Sequence, residues 1–189
     1  GKLAIVLGIE ISNLFDCFLT PEEGFEQCNV KNLGAKIDHF RDLGVRVIFP
    51  VHKFDNAFTA GDGSSGIIEL GNFINSGHYS DFVQDCPDIS AAFDSGDVSF
   101  GGLNKPRDVY DSPAPNDMSK FGKAPLGTML PFLSEIQAPS LPGEWCQHHG
   151  MTPLGETLMQ ELMKRGMMID IAHLPKRSLA RAYELLEAN

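Results

Sequence analysis

Three short apolar runs stand out along the chain, and each leads within a few residues to an ionisable side chain. The runs occupy residues 3–9, 45–51 and 167–172. An apolar run of this length, bounded by Gly or Pro, is typical of a strand that is buried in a parallel sheet. The pattern therefore predicts three adjacent, parallel, buried strands.

Helical periodicity follows these runs. The predicted helices are 31–43, 153–165 and a last segment that opens at Pro175. The side chains expected to face the sheet are Leu33, Ile37, Phe40 and Leu43, then Leu154, Leu158 and Leu162, then Leu179, Ala182, Tyr183 and Leu186. Thr152-Pro153 is typical of a helix start, and Gly44 and Gly166 are typical of helix ends. Alternating strands and helices predict right-handed crossovers, with the first two helices on the same side of the sheet.

Residues 53–150 break this rhythm. They hold most of the glycines and prolines and show no sustained helical or strand period. A connection of this length within one domain is usually functional or disordered. Because it leaves the carboxyl end of a strand, we expect it to cover the functional edge of the sheet as a lid or specificity region. A surface insertion without a role is the alternative.

Composition narrows the function classes. The 189 residues are 42% hydrophobic and 21% charged, as in ordinary globular domains, and suit a single domain. A net charge of -10 argues against nucleic-acid binding, which needs a basic face. No apolar run approaches the roughly 20 residues that span a bilayer.

The candidate chemistry lies where the predicted strands end. Glu10, His52 and His173 follow the three runs in turn. Chemistry in parallel α/β folds concentrates at the carboxyl ends of strands, and carboxylate and imidazole groups are common zinc ligands and acid–base groups. Three such residues at one edge favour a metal or acid–base site over three unrelated structural side chains. Asp170, within the last run, is either a support for a ligand or a buried carboxylate satisfied by backbone amides.

Several of these segments resemble, in order, the membrane dipeptidase (renal dipeptidase) family of the amidohydrolase superfamily. They are Leu-Gly-Ile-Glu10, then Leu-Gly-Val-Arg-Val-Ile-Phe-Pro-Val-His52 followed by Asp55-Asn56, then the stretch from Met151 to His173, which includes Met-Thr-Pro-Leu-Gly-Glu and Arg-Gly-Met-Met-Ile-Asp-Ile-Ala-His. The last stretch is the most specific, and the resemblance covers roughly residues 3–52 and 150–189. It implies a (β/α)8 barrel with two zinc ions that hydrolyses dipeptides through metal-activated water.

The resemblance also implies residue roles. Glu10 corresponds to a glutamate that bridges the two zinc ions, and His173 to the first of two histidines that bind one of them. His52 corresponds to a histidine that contacts substrate and stabilises the tetrahedral intermediate. The expected fold is α/β, built of parallel βα units as a partial (β/α)8 (TIM) barrel of metal-dependent hydrolase type over residues 1–189.

Departures from the family pattern limit these expectations. The chain lacks the His-x-Asp pair of the family's first strand, the second ligand histidine after His173 and the aspartate of the last strand. We therefore expect an internal segment of a larger enzyme, catalytically incomplete alone, with weak or no zinc and self-association through open sheet edges. His148 and His149 are expected to be solvent-exposed loop residues and not replacement ligands. The competing interpretation is a noncatalytic, degenerate barrel whose insertion binds a protein or glycan.

The four cysteines, Cys17, Cys28, Cys86 and Cys146, are all predicted to lie in loops. None has the C-x-x-C spacing of a metal site. Their even number and loop placement suit two disulfides and an extracytoplasmic enzyme, secreted or periplasmic, while four reduced thiols in a cytosolic protein remain the alternative.

Overall fold

A computed structural model describes residues 2–19, 23–61, 71–72, 75–76, 82–90 and 145–188. The described segments form a mixed α/β structure with a small parallel sheet and three helices. Its elements are β1 (Leu7–Ile9), α1 (Leu33–Asp42), β2 (Val45–Ile48), β3 (Phe82–Val83), β4 (Cys146–Gln147), α2 (Pro153–Lys164), β5 (Met168–Ile169) and α3 (Lys176–Glu187). Most of the predicted insertion, including the part expected to act as a lid, lies outside the described residues.

The main sheet has the order β1-β2-β5, and both pairings are parallel. Leu7 lies opposite Val45, and Val47 lies opposite Met168. The prediction of three adjacent parallel strands is confirmed. Over the described part of the chain, these strands form an open sheet and do not close into a barrel.

The strands are shorter and less buried than predicted. The run over residues 3–9 is a strand only from Leu7, and Leu3 and Ile5 are 87% and 76% exposed. The prediction of a fully buried first strand is wrong because β1 is an edge strand of the described sheet. Met168 in β5, on the other edge, is also about half exposed.

The helix boundaries follow the predicted signals. Thr152 caps α2, its hydroxyl accepting a hydrogen bond from the Gly155 N–H at 3.0 Å, and Pro153 occupies the first turn. Gly44 and Gly166 follow α1 and α2 with φ of +100° and +63°, which glycine adopts without a Cβ clash.

The core lies between the sheet, α1 and α2, with a second cluster beneath α3. The buried side chains of the first cluster include Leu33, Ile37, Ile48, Leu158 and Leu162, and those of the second include Met159, Leu174, Leu179, Ala182 and Leu185. Leu43, Tyr183 and Leu186 are exposed, contrary to prediction. In α3, Leu179 and Ala182 are buried as predicted, and Leu185 is buried in place of Tyr183 and Leu186.

An arginine joins the first two helices. The Arg165 guanidinium donates to both carboxylate oxygens of Asp38 on α1, at 2.8 and 3.1 Å, and also to Glu161 on α2. These bonds lower the pKa of Asp38, and bonds from Lys164 and then Arg165 lower the pKa of Glu161. Both carboxylates are thereby held in their charged form.

The start of α2 docks on the loop that follows β2. The Thr152 hydroxyl donates to Ala57 O at 2.7 Å, and the Thr152 N–H donates to Phe58 O at 2.8 Å. A Cβ on Gly155 would lie 2.0 Å from Phe58 O. The helix can therefore approach this loop only with glycine at position 155.

The four cysteines form two disulfides, Cys17–Cys28 and Cys86–Cys146. The prediction that all four lie in loops is wrong for Cys146, which begins β4. This strand pairs antiparallel with β3. The Cys86–Cys146 disulfide links the segment after β3 to the first residue of β4. None of the helices in the described ranges is long and apolar enough to cross a membrane.

Candidate metal centre

Glu10, His52 and His173 leave the same edge of the parallel sheet, on the turns that follow its three strands. His52 was predicted to terminate its strand, but β2 ends at Ile48 and His52 lies in the next turn. Pro50, which has no N–H to donate to a ladder, explains why the strand stops early.

The three side chains converge on one point. His173 Nε2 lies 2.8 Å from Glu10 Oε1, and His52 Nε2 lies 3.6 Å from the same oxygen. One ligand atom from each residue lies within 4.8 Å of the other two, which makes this a grouping that could hold a metal ion. The sheet therefore brings together the three residues singled out in the sequence.

The site lies at the surface, and its members differ in exposure. The His173 side chain is 11% exposed, whereas those of His52 and Glu10 are 37% and 46% exposed. The two imidazole rings meet edge to face, with centroids 4.6 Å apart, and Phe49 lies 6.0 Å from the His173 ring. The more buried histidine is thus held by packing, while Glu10 and His52 remain open to a ligand.

The distances can be compared with those around zinc. Two ligand atoms about 2.1 Å from a tetrahedral zinc ion lie roughly 3.4 Å apart. The 3.6 Å between His52 and Glu10 is close to this separation, and the 2.8 Å between His173 and Glu10 is a direct hydrogen bond. A shift of about 0.5 Å would open that bond to ligand spacing. The residue types fit a zinc ion, and the spacing between Glu10 and His173 fits it only after this shift.

Asp170 acts on the backbone of the turn that carries His173. Its Oδ1 accepts a hydrogen bond from the Ala172 N–H at 3.0 Å, and its own N–H donates to Ile48 O at 2.9 Å. The carboxylate of this half-buried residue is thus bonded to one backbone amide, that of Ala172, and the role of Asp170 toward His173 stays a prediction.

His148 and His149 are not part of the grouping of Glu10, His52 and His173. Both are half-buried, so the expectation of solvent exposure is wrong. The centroids of their two rings are 5.2 Å apart. His149 lines a separate cavity of about 200 Å³ with Asp55 and Thr59.

Sequence reasoning missed Ser12 and Asn56, which are buried polar residues close to the site. Asn56 was noted only as part of a segment that resembles the dipeptidase family. An asparagine inside a Gly-rich and Pro-rich stretch usually indicates a turn. Its burial depends on the packing of distant segments, which local composition does not reveal.

Comparisons with protein-family models, with curated proteins and with solved structures found no match to this chain.

Proposed function

We propose that this chain carries part of the active site of a metal-dependent hydrolase, similar to the dinuclear zinc dipeptidases, that cleaves a small amide or peptide bond. The observation that carries the proposal is the convergence of Glu10, His52 and His173 at the carboxyl ends of three parallel strands. In the proposed whole enzyme the sheet is part of a (β/α)8 barrel. The order β1-β2-β5 and its parallel crossovers support that architecture.

The proposed roles follow from chemistry and exposure. Glu10 and His173 would hold zinc, because they supply the carboxylate oxygen and the more buried imidazole nitrogen. Bound zinc would acidify a water into a nucleophile for attack on the amide carbon. His52, 37% exposed and 3.6 Å from Glu10, can reach outward to donate a hydrogen bond to the substrate carbonyl oxygen as negative charge develops there.

The two disulfides support an oxidising compartment as the place where the enzyme works. They also support the interpretation of the four cysteines as structural and not as ligands. We therefore propose a secreted or periplasmic enzyme.

Zinc titration of this chain tests the proposal. We expect weak, exchangeable binding, since the two proposed ligands fall short of the three or four protein ligands of a stable site. His173→Ala should abolish that binding, whereas His52→Ala should leave it largely intact. Competition with a chromophoric chelator gives the affinity, and His39→Ala, on α1 away from the site, is the matched control.

Two outcomes would contradict this assignment. Zinc binding that survives His173→Ala would place the ion elsewhere. Absence of zinc from the proposed whole enzyme would favour the noncatalytic, degenerate barrel, whereas absence from this chain alone agrees with its missing ligands.

A further inference from the structure

Asn56 lies at the junction of the segments that carry Glu10 and His52. Its side chain is 1% exposed, and its Nδ2 donates to Ser12 O at 2.7 Å and to Pro50 O at 2.9 Å. Ser12 follows Glu10 by two residues, and Pro50 precedes His52 by two. One amide group therefore spans the backbones next to two residues of the metal centre.

The oxygen of the same amide group is also fully used. Asn56 Oδ1 accepts hydrogen bonds from the N–H groups of Phe58 at 2.8 Å and Thr59 at 3.1 Å. With two donated and two accepted bonds, all four positions of the carboxamide are satisfied. Because Nδ2 faces two carbonyls and Oδ1 faces two N–H groups, only this orientation of the amide fits.

Ser12 makes a second connection between the same segments. Its hydroxyl oxygen accepts hydrogen bonds from the N–H groups of Lys53 at 3.0 Å and Phe54 at 3.1 Å. Lys53 is the residue directly after His52. The turn that carries His52 is thus bonded directly to the side chain of Ser12, and Pro50 O and Ser12 O are linked through the Asn56 amide.

A third connection reaches the segment that carries His173. The Thr59 and Ser178 hydroxyl oxygens are 2.6 Å apart, and both residues are buried. The Thr59 hydroxyl also lies 3.1 Å from Ala60 O, and either hydroxyl can be the donor in the Thr59–Ser178 pair. Ser178 lies in the first turn of α3, five residues after His173.

We propose that Ser12, Asn56, Thr59 and Ser178 form a buried polar clamp that fixes the relative positions of Glu10, His52 and His173. These four are positioning residues, because they act through the backbone next to the site and contact none of its three side chains in the bonds described above. The role of the clamp in metal binding rests on the proposed function. Its effect on the positions of the three side chains can be tested without metal.

A clamp of this kind answers a specific need of the site. The parallel strands that precede the three residues are only two to four residues long, and two of the three side chains are more than one third exposed. Ligand groups must be held within about 0.5 Å of productive geometry, and the loss of a supporting hydrogen bond typically weakens metal binding about 10- to 100-fold. Short strands alone leave such turns free to move.

Asn56→Asp is the most selective test, because a carboxylate keeps the acceptor but loses both donors to Ser12 O and Pro50 O. In the zinc-free chain, we expect the ring resonances of His52 and His173 in NMR spectra to shift and broaden. We also expect faster amide hydrogen exchange at Lys53 and Phe54, while the ring resonance of His39 on α1 stays unchanged. Zinc affinity should fall about 10- to 100-fold.

A second pair of variants covers the case in which Asn56→Asp does not fold. Ser12→Ala removes the acceptor for Lys53 and Phe54, whereas Ser12→Thr keeps it and should restore the wild-type spectra and zinc affinity. Ile37→Ala, on the buried face of α1, is the stability control: it should lower Tm without moving the His52 and His173 resonances.

The outcomes separate the two proposals. If zinc binding survives His173→Ala but Asn56→Asp disturbs the two site histidines selectively, the proposed function fails and the clamp stands. If Asn56→Asp and Ser12→Ala leave these resonances and the exchange rates unchanged, the clamp is overturned. It is also overturned if His39 and the Ile37→Ala control show the same changes, because the effect is then general loss of stability.

Discussion

Two clusters of ionisable side chains, each drawn from distant parts of the sequence, show different ways of using charge. Between α1 and α2, Arg165 donates to Asp38 and Glu161, so that a permanent cation is matched by two carboxylates. At the sheet edge, Glu10 faces two imidazoles that share one of its oxygens. In the helical cluster every charge has an opposite partner, whereas the sheet-edge cluster brings three potential metal ligands to one point.

This difference separates a structural cluster from a candidate site. A guanidinium has only hydrogen-bond donors and cannot bind a cation, so Arg165 cannot serve as a metal ligand. A neutral imidazole has one N–H donor and one acceptor nitrogen, so a change of tautomer lets it exchange its hydrogen bond to the carboxylate for a bond to zinc. A cluster of acids and bases is therefore not in itself evidence of a metal site. The donor or acceptor character of the atoms that face each other distinguishes a candidate site from a structural cluster.

The largest expected effects, on zinc affinity and on Tm, come from a single substitution in each cluster. Glu10→Gln keeps the size of the side chain but removes its charge, and zinc affinity should fall by more than the roughly 100-fold expected for a supporting group. Its Tm should change little because Glu10 is 46% exposed. Arg165→Met should do the opposite, lowering Tm and leaving zinc affinity unchanged. Chelator competition measures the zinc affinity, and thermal unfolding measures the Tm. An equal loss of zinc affinity in both variants would contradict the distinction between the two clusters.

The apolar layer beneath the helical cluster gives the next largest effect. Leu162 is fully buried one turn before Arg165 in the sequence. Leu162→Ala should reduce the free energy of unfolding by about 2 to 5 kcal/mol through lost burial and a residual cavity. Urea unfolding followed by circular dichroism measures it. Met163→Ala, at the half-buried neighbouring position, is the control and should cost clearly less; a reversed order would mean that α2 is rotated in solution.

The pH dependence of stability should report the helical cluster. Arg165 lowers the pKa of Asp38 and contributes to the lowered pKa of Glu161. The contribution of these two carboxylates to the free energy of unfolding is therefore complete at pH above their ordinary pKa values of 3.8 and 4.5. It is lost as pH falls through the lower folded-state values. The Tm gap between wild type and Arg165→Met should thus be constant above about pH 6 and shrink toward pH 3. A gap that widens on acidification would refute the linkage.

The smallest effect is expected from Lys164, at the rim of the same cluster. Its ammonium group lies 2.6 Å from Glu161, but its side chain is 67% exposed. Lys164→Ala should therefore change the free energy of unfolding by no more than about 0.5 kcal/mol, and 0.5 M salt should reduce even that. A cost comparable to that of Arg165→Met would show that exposed ion pairs matter more here than burial does.

The sequence predicted those features that depend on local pattern. Short apolar runs located the strands, and Thr152, Gly44 and Gly166 located helix ends because capping and positive φ are local requirements. The site followed from the same logic, since parallel strands bring their carboxyl ends to one edge.

Features that depend on distant neighbours were not predictable in this way. The apolar run that contains Leu3 gives no sign that it is exposed, because exposure depends on what lies beside the sheet. Four cysteines allow three pairings, and spacing alone does not select Cys17–Cys28 and Cys86–Cys146. The Asn56 amide is satisfied by residues up to 44 positions away, which no local period records.

Gly155 sets a limit on how this protein could be engineered. Replacing a helical glycine by alanine is a common stabilising substitution, with a gain of about 1 kcal/mol from helix propensity. Here the new methyl group would occupy the space of Phe58 O, on the loop that also supplies the N–H groups bound by Asn56. Thermostability designs that add alanine to α2 should therefore keep position 155 fixed, since the better helix would be pushed away from the loop on which it docks.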